Sequence, residues 1–131
     1  MKDIPVTFPG GKRADAHYEG RTVRTDQSVK NGGEGSDPEP FDLFFVSLAT
    51  CVGIYALEFC NARELNTEGL GVRLRAQRDP EKKLFTPIRI EVLCPKDFPE
   101  KSKERLLKAV NRCTVKRHII TPPEFEVALL G

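Results

Sequence analysis

The stretch SDPEPFDLFFVSLATCVGIYALEFCNAR, residues 36–63, decides the fold. From Leu43 to Leu57 it carries no charge, and its apolar residues point to every side of a helical wheel rather than along one stripe. A helix apolar all round is a buried helix. Ser36 and Asp37 stand as cap candidates, and Pro38 and Pro40 suit a helix entrance but not a helix interior. Midway along lies Cys51, with the small residues Ser47, Ala49, Thr50 and Gly53 within about a turn of it. Another backbone or a small ligand can come close there, which makes Cys51 the candidate reactive centre.

Outward from this helix, the whole chain of 131 residues has the length of one domain, 1–131. Its composition, 39% apolar and 31% charged, is that of a soluble globular protein. The net charge of +2 comes from basic and acidic residues spread along the chain, so no nucleic-acid footprint stands out. Asp42 and Glu58 bracket the apolar run, and Ser47, Thr50 and Gly53 dilute it, so a membrane span is not expected. MKDIPVTF at the start carries no targeting pattern, and a cytoplasmic location is expected. The cysteines at 51, 60, 94 and 113 form no CxxC pair, which argues against a structural zinc site; no metal or other cofactor is expected. Each sits in an apolar segment, where free cysteine behaves as a small hydrophobe.

Before the helix, residues 4–29 read as short strands, with a turn at Gly10 and Gly11 and a tight reversal at Glu19 and Gly20. KNGGEGSDPEP then forms a loop that lacks any phosphate-binding spacing. After the helix, Val72, Leu74 and Ala76 alternate with charged or polar residues, and Ile88, Ile90, Val92 and Cys94 do the same, predicting a hairpin around RDPEKK. Asp97, Pro99 and Glu100 suggest a capped start for a second helix, on which Leu106, Val110 and Cys113 share one face. Lys101, Lys103, Glu104, Arg105 and Lys108 read as its solvated side. EFEVALL reads as a closing strand with Phe125, Val127 and Leu129 inward. The fold class is α+β: antiparallel sheets around a long buried helix. One chain offers that helix too few partners, and a two-fold homodimer would cover the remainder.

If the inner faces of the two helices meet, Cys51 and Cys113 can cycle between dithiol and disulfide. At this point the chain resembles the OsmC/Ohr family. DPEPFDLFFVSLATCVGIYALEFC is similar to the family's helix of proline, leucine-rich turns, two small residues and cysteine, and NRCTVKRHI with PPEFEV to its second-cysteine segment and terminal strand. The resemblance implies an intertwined homodimer that reduces organic hydroperoxides at its dimer interface, with Cys51 peroxidatic, Cys113 resolving, and a dithiol as reductant.

The family activates its thiolate with an arginine held by a glutamate. Here Phe41 follows Pro40 where that glutamate belongs, with Glu39 and Asp42 the nearest acids, and Gly10-Gly11 leads to Lys12 and Arg13 rather than directly to arginine. These departures place the chain closer to the OsmC-like branch, with Arg13 or Lys12 as a less well-anchored activating cation. Two readings follow. One is a hydroperoxide reductase acting on a small apolar hydroperoxide; the other is a non-catalytic dimer that binds an apolar small molecule in its interface pocket, with Cys51 as lining. His17 and His118 read as structural, and Tyr55 as core packing.

Overall fold

The computed structural model describes residues 1–131, which divide into two compact units, Met1–Val46 and Ser47–Gly131. In the first unit, β1 (Val6–Thr7), β2 (Ala14–Tyr18) and β3 (Arg21–Thr25) form an antiparallel sheet in that order. Tyr18 pairs with Arg21, so Glu19 and Gly20 alone make the turn, both at positive φ (45° and 75°). That is the geometry of a two-residue hairpin loop.

The glycine-rich loop folds around a carboxylate. Asp26 is buried, and its oxygens accept from the N–H groups of Gln27, Glu34 and Ser36 and from the Ser36 hydroxyl. Gly33 is required here, because a Cβ on it would stand 2.1 Å from the Gln27 carbonyl oxygen. Ser36 therefore serves Asp26 and does not cap the helix. The cap belongs to Glu39, whose backbone N–H donates to the Asp42 carboxylate three residues on, with Pro40 at the first helical position.

Helix α1 runs over Pro40–Ala62 and is long and apolar enough, by length and composition, to cross a membrane. In the second unit it behaves as a core helix. Leu48, Val52, Ala56, Phe59 and Cys60 are buried along one stripe, while Ile54 and Leu57 on the other side are 46% and 36% exposed. The helix is thus buried on one side only. Its stripe packs on a hairpin of β4 (Gly71–Asp79) and β5 (Leu84–Leu93), whose inner face is built from the cross-strand pairs Val72–Val92, Leu74–Ile90 and Ala76–Ile88. Arg73, Arg75, Arg89 and Glu91 lie on the outer face, as the alternation predicts.

Past β5 the chain departs from expectation in four places. Asp97 adopts a left-handed φ of 59° and caps nothing; a short 3-10 turn at Glu100–Ser102 leads into α2 (Lys103–Val110) instead. The helical stretch breaks at Asn111 to Cys113 and resumes as α3 (Thr114–Ile120), so Cys113 lies at a helix junction and not on the α2 face. Residues 122–131 form no strand in this chain, and Phe125, Val127 and Leu129 are 85%, 94% and 99% exposed rather than inward. Cys94 likewise is exposed just beyond β5. The architecture is α+β, with antiparallel sheets and one long helix.

Candidate functional site

The break before α3 creates the site. Cys113 occupies the N-cap position with an extended backbone (φ −44°, ψ 125°), and its own side chain caps nothing. The first N–H groups of a helix have no partner within it. Here those of Thr114 and Val115 turn to the sulfur of Cys51, half-buried in the middle of α1. The fully buried Cys113 thiol lies close enough to the same sulfur for each to shift the other's acidity. The structure therefore brings the two sequence-predicted cysteines together, both as free thiols.

The environment separates the two thiols in acidity. Burial pushes Cys51 up, but the hydrogen bonds from Cys113 and from the Val115 and Thr114 N–H groups outweigh it, and its pKa falls below the ordinary thiol value. Burial pushes Cys113 up, and its hydrogen bond to Cys51 adds to that rise. Cys51 is the sulfur that ionises first, and Cys113 is its S–H donor.

Tyr55, one turn beyond Cys51, does more than pack. Its hydroxyl lies 2.9 Å from the Thr114 hydroxyl, fastening α1 to the residue whose N–H serves the sulfur. His118 Nδ1 contacts the Thr114 carbonyl oxygen at 2.7 Å, one turn along α3. The i, i+4 spacing of Cys51 and Tyr55 was the only signal for this in the sequence.

The cation candidates belong to the N-terminal unit. Arg13 donates to Glu34 Oε2 at 2.6 Å and to Ser36 Oγ at 3.4 Å, so it is anchored by a glutamate from the glycine-rich loop. This glutamate lies seven residues before Phe41, where spacing from Pro40 gives no hint of it, and its side chain is largely exposed. Lys12 is exposed, with its Cε 3.6 Å from where a Cβ on Gly32 would stand. Glu39 holds neither cation. The hydroxyl and N–H of Ser28 and the amide of Asn31 engage its carboxylate and lower its pKa. Phe41 stacks with Phe44 and Phe45 at centroid distances of 5.3 and 5.1 Å. His17 bridges strands through Thr7, 2.8 Å from its Nε2.

Residues 33–128 match the family model described as OsmC-like protein, a span that includes both cysteines and begins after Lys12 and Arg13. No curated protein matches the chain. Among solved structures, it is similar to a Psychrobacter arcticus 273-4 protein described as an osmotic stress induced and detoxification response protein, with 21% identity and a TM-score of 0.76 over 89% of this chain and 87% of that one. An OsmC like protein from Mycoplasma pneumoniae gives 15%, 0.72, 93% and 89% for the same quantities. The organic hydroperoxide resistance protein OhrB of Bacillus subtilis gives 14%, 0.56, 89% and 88%.

Proposed function

This chain belongs to the OsmC-like family, and from that premise we propose that it reduces organic hydroperoxides with the thiols of Cys51 and Cys113. The observation that carries the reading is the proximity of the two thiols where the Tyr55–Thr114 hydroxyl bond ties α1 to the start of α3, with Cys51 made the more acidic and Cys113 the less. The Cys51 thiolate attacks the terminal peroxide oxygen, the O–O bond breaks, and the alkoxide leaves and takes a proton to become the alcohol. Sulfur is oxidised by two electrons to a sulfenic acid. Cys113, losing its proton, then attacks that sulfur; the disulfide forms and water departs. An external dithiol restores both thiols by exchange. The N–H groups of Thr114 and Val115 hold the thiolate at the start of the cycle.

An apolar group fits beside the neighbouring Val52, in a cavity of about 200 Å³ whose apolar wall is Ile88, Ile90, Val92, Leu107 and Val110 and whose polar wall is Asn111 and Lys116. That cavity is also what favours the second reading, an apolar ligand bound without turnover. Arg13, anchored by Glu34, is the proposed activating cation, with Lys12 as its alternative. Replacing both with Met is expected to slow peroxide consumption; an unchanged rate assigns activation to the α3 N–H groups alone.

Stoichiometric cumene hydroperoxide decides between the readings. The reduced protein is expected to yield an intramolecular Cys51–Cys113 disulfide by mass spectrometry. Cys113→Ser should stop at sulfenic acid or overoxidise, and Cys51→Ser should show no fast reaction. Consumption no faster than by free cysteine at the same pH removes the peroxidase reading and leaves the ligand-binding one.

A further inference from the structure

Away from the thiols, the second half of α1 and the facing side of α2 border an open pocket of about 360 Å³. Its walls are two helical stripes of the same spacing: Tyr55, Glu58, Phe59 and Ala62 on α1, and Arg105, Lys108, Ala109 and Arg112 running along and just past α2. Arg63, just past the end of α1, completes it. Four cations thus face one space with Glu58 as the lone acid, a local balance of +4 − 1 = +3. None of the four takes part in an ion pair, although the chain pairs Arg13, Arg89 and Lys103 elsewhere.

A solvated helix face spreads its like charges apart, because cations three and four residues apart repel. Here Arg105, Lys108 and Arg112 stack on one stripe and Arg63 is added from another element. Arg63 is held in place, its guanidinium 3.7 Å from the Phe59 ring centre and its Nη1 3.3 Å from the Phe59 carbonyl oxygen, which leaves its other N–H groups for a ligand. Three guanidinium forks suit oxygen anions, which they bind two hydrogen bonds at a time. The volume is that of a small-molecule site.

We infer that this pocket binds a compact small molecule carrying two or more negative charges, held between Arg63, Arg105, Lys108 and Arg112. Phosphate and carboxylate groups share the required chemistry. The site is separate from the hydroperoxide reading and stands if that reading fails, since it uses neither cysteine.

Calorimetric titration of the full chain with inorganic pyrophosphate, and separately with citrate, tests it at about 0.15 M salt, where non-specific surface attraction is screened. Saturable one-site binding of at least one anion is expected, and the tighter of the two identifies the ligand as phosphate-bearing or carboxylate-bearing. The Arg105→Gln/Arg112→Gln double variant, altered only at exposed positions, should bind about tenfold more weakly or worse. Arg73→Gln/Arg75→Gln, on the outer face of β4, serves as the control and should bind like the parent. No saturable binding of either anion, or affinity lost equally in both double variants or retained in both, overturns the inference.

Discussion

At the scale of single residues, the Tyr55 hydroxyl and the Thr114 hydroxyl form a side-chain hydrogen bond that ties the cysteine-bearing helix to the start of α3. Removing it in Tyr55→Phe should let the Thr114 and Val115 N–H groups drift from the sulfur. One neutral hydrogen bond is worth about 1 kcal/mol, which corresponds to roughly fivefold in rate near neutral pH. Because those N–H groups lower the Cys51 pKa, their loss raises it: the pH profile should shift upward, and the variant should approach the parent rate at alkaline pH. Thr114→Val should match it, Thr114→Ser should recover, and a variant slow at every pH contradicts the positioning role. Asp26 makes a second prediction. Its hydrogen bonds, those to Ser36 foremost, lower its pKa from 3.8 to about 2, so it contributes stability that is complete above the unfolded value and is lost as pH falls between the two. Asp26→Asn should therefore be less stable at neutral pH and should flatten that acid limb, as circular dichroism against pH would record; a parent-like limb denies Asp26 this role. Cys51 was legible in the sequence from the small residues around it, whereas Asp26 was not. Its partners are backbone N–H groups, which every loop possesses and no side-chain pattern announces.

At the scale of elements, what the sequence made plain was whatever repeats with a period. The β4–β5 hairpin followed from strict alternation, and its inner and outer faces are those the alternation assigns. Leu106, Val110 and Cys113 are all buried, as the spacing predicts, yet Cys113 reaches the core from a helix junction. The break at Asn111 to Cys113 involves neither Gly nor Pro, so nothing local marks it. That hidden break matters most for function, since an unbroken helix would leave no free N–H groups beside Cys51. The remaining cysteines sort by their elements. Cys60 is buried in α1, and burial raises its pKa; Cys94 lies exposed beyond β5. Cys60→Ala should cost about 1 kcal/mol through a small cavity, and Cys94→Ala almost nothing. Both variants should still form the Cys51–Cys113 disulfide with peroxide. A folded variant of either kind that fails to do so would place a third thiol in the chemistry.

At the scale of the whole molecule, two apolar surfaces have no cover within one chain. One is the outer side of α1, represented by Ile54 and Leu57; the other is the tail, where Phe125, Val127, Leu129 and Leu130 are each at least 85% exposed. The tail keeps the alternating pattern of a strand but pairs with nothing in its own chain. A strand-forming sequence without a neighbour and a core helix with one bare side would both be covered in a two-fold homodimer, which is the proposed state. Ile54 and Leu57 have 46% and 36% of their surface left to bury, so a two-fold interface that covers them gains from four such side chains. At about 2 kcal/mol for the full burial of one such side chain, this amounts to roughly 3 kcal/mol, or about two decades in dissociation constant. Sedimentation velocity at micromolar concentration is expected to give a dimer for the parent chain. Ile54→Glu/Leu57→Glu should shift it toward monomer by at least that factor, the two added charges also opposing burial. A stable, folded parent monomer under these conditions would remove the dimer. The chemistry of Cys51 and Cys113 would survive that result, because both thiols and the N–H groups beside them belong to the same chain.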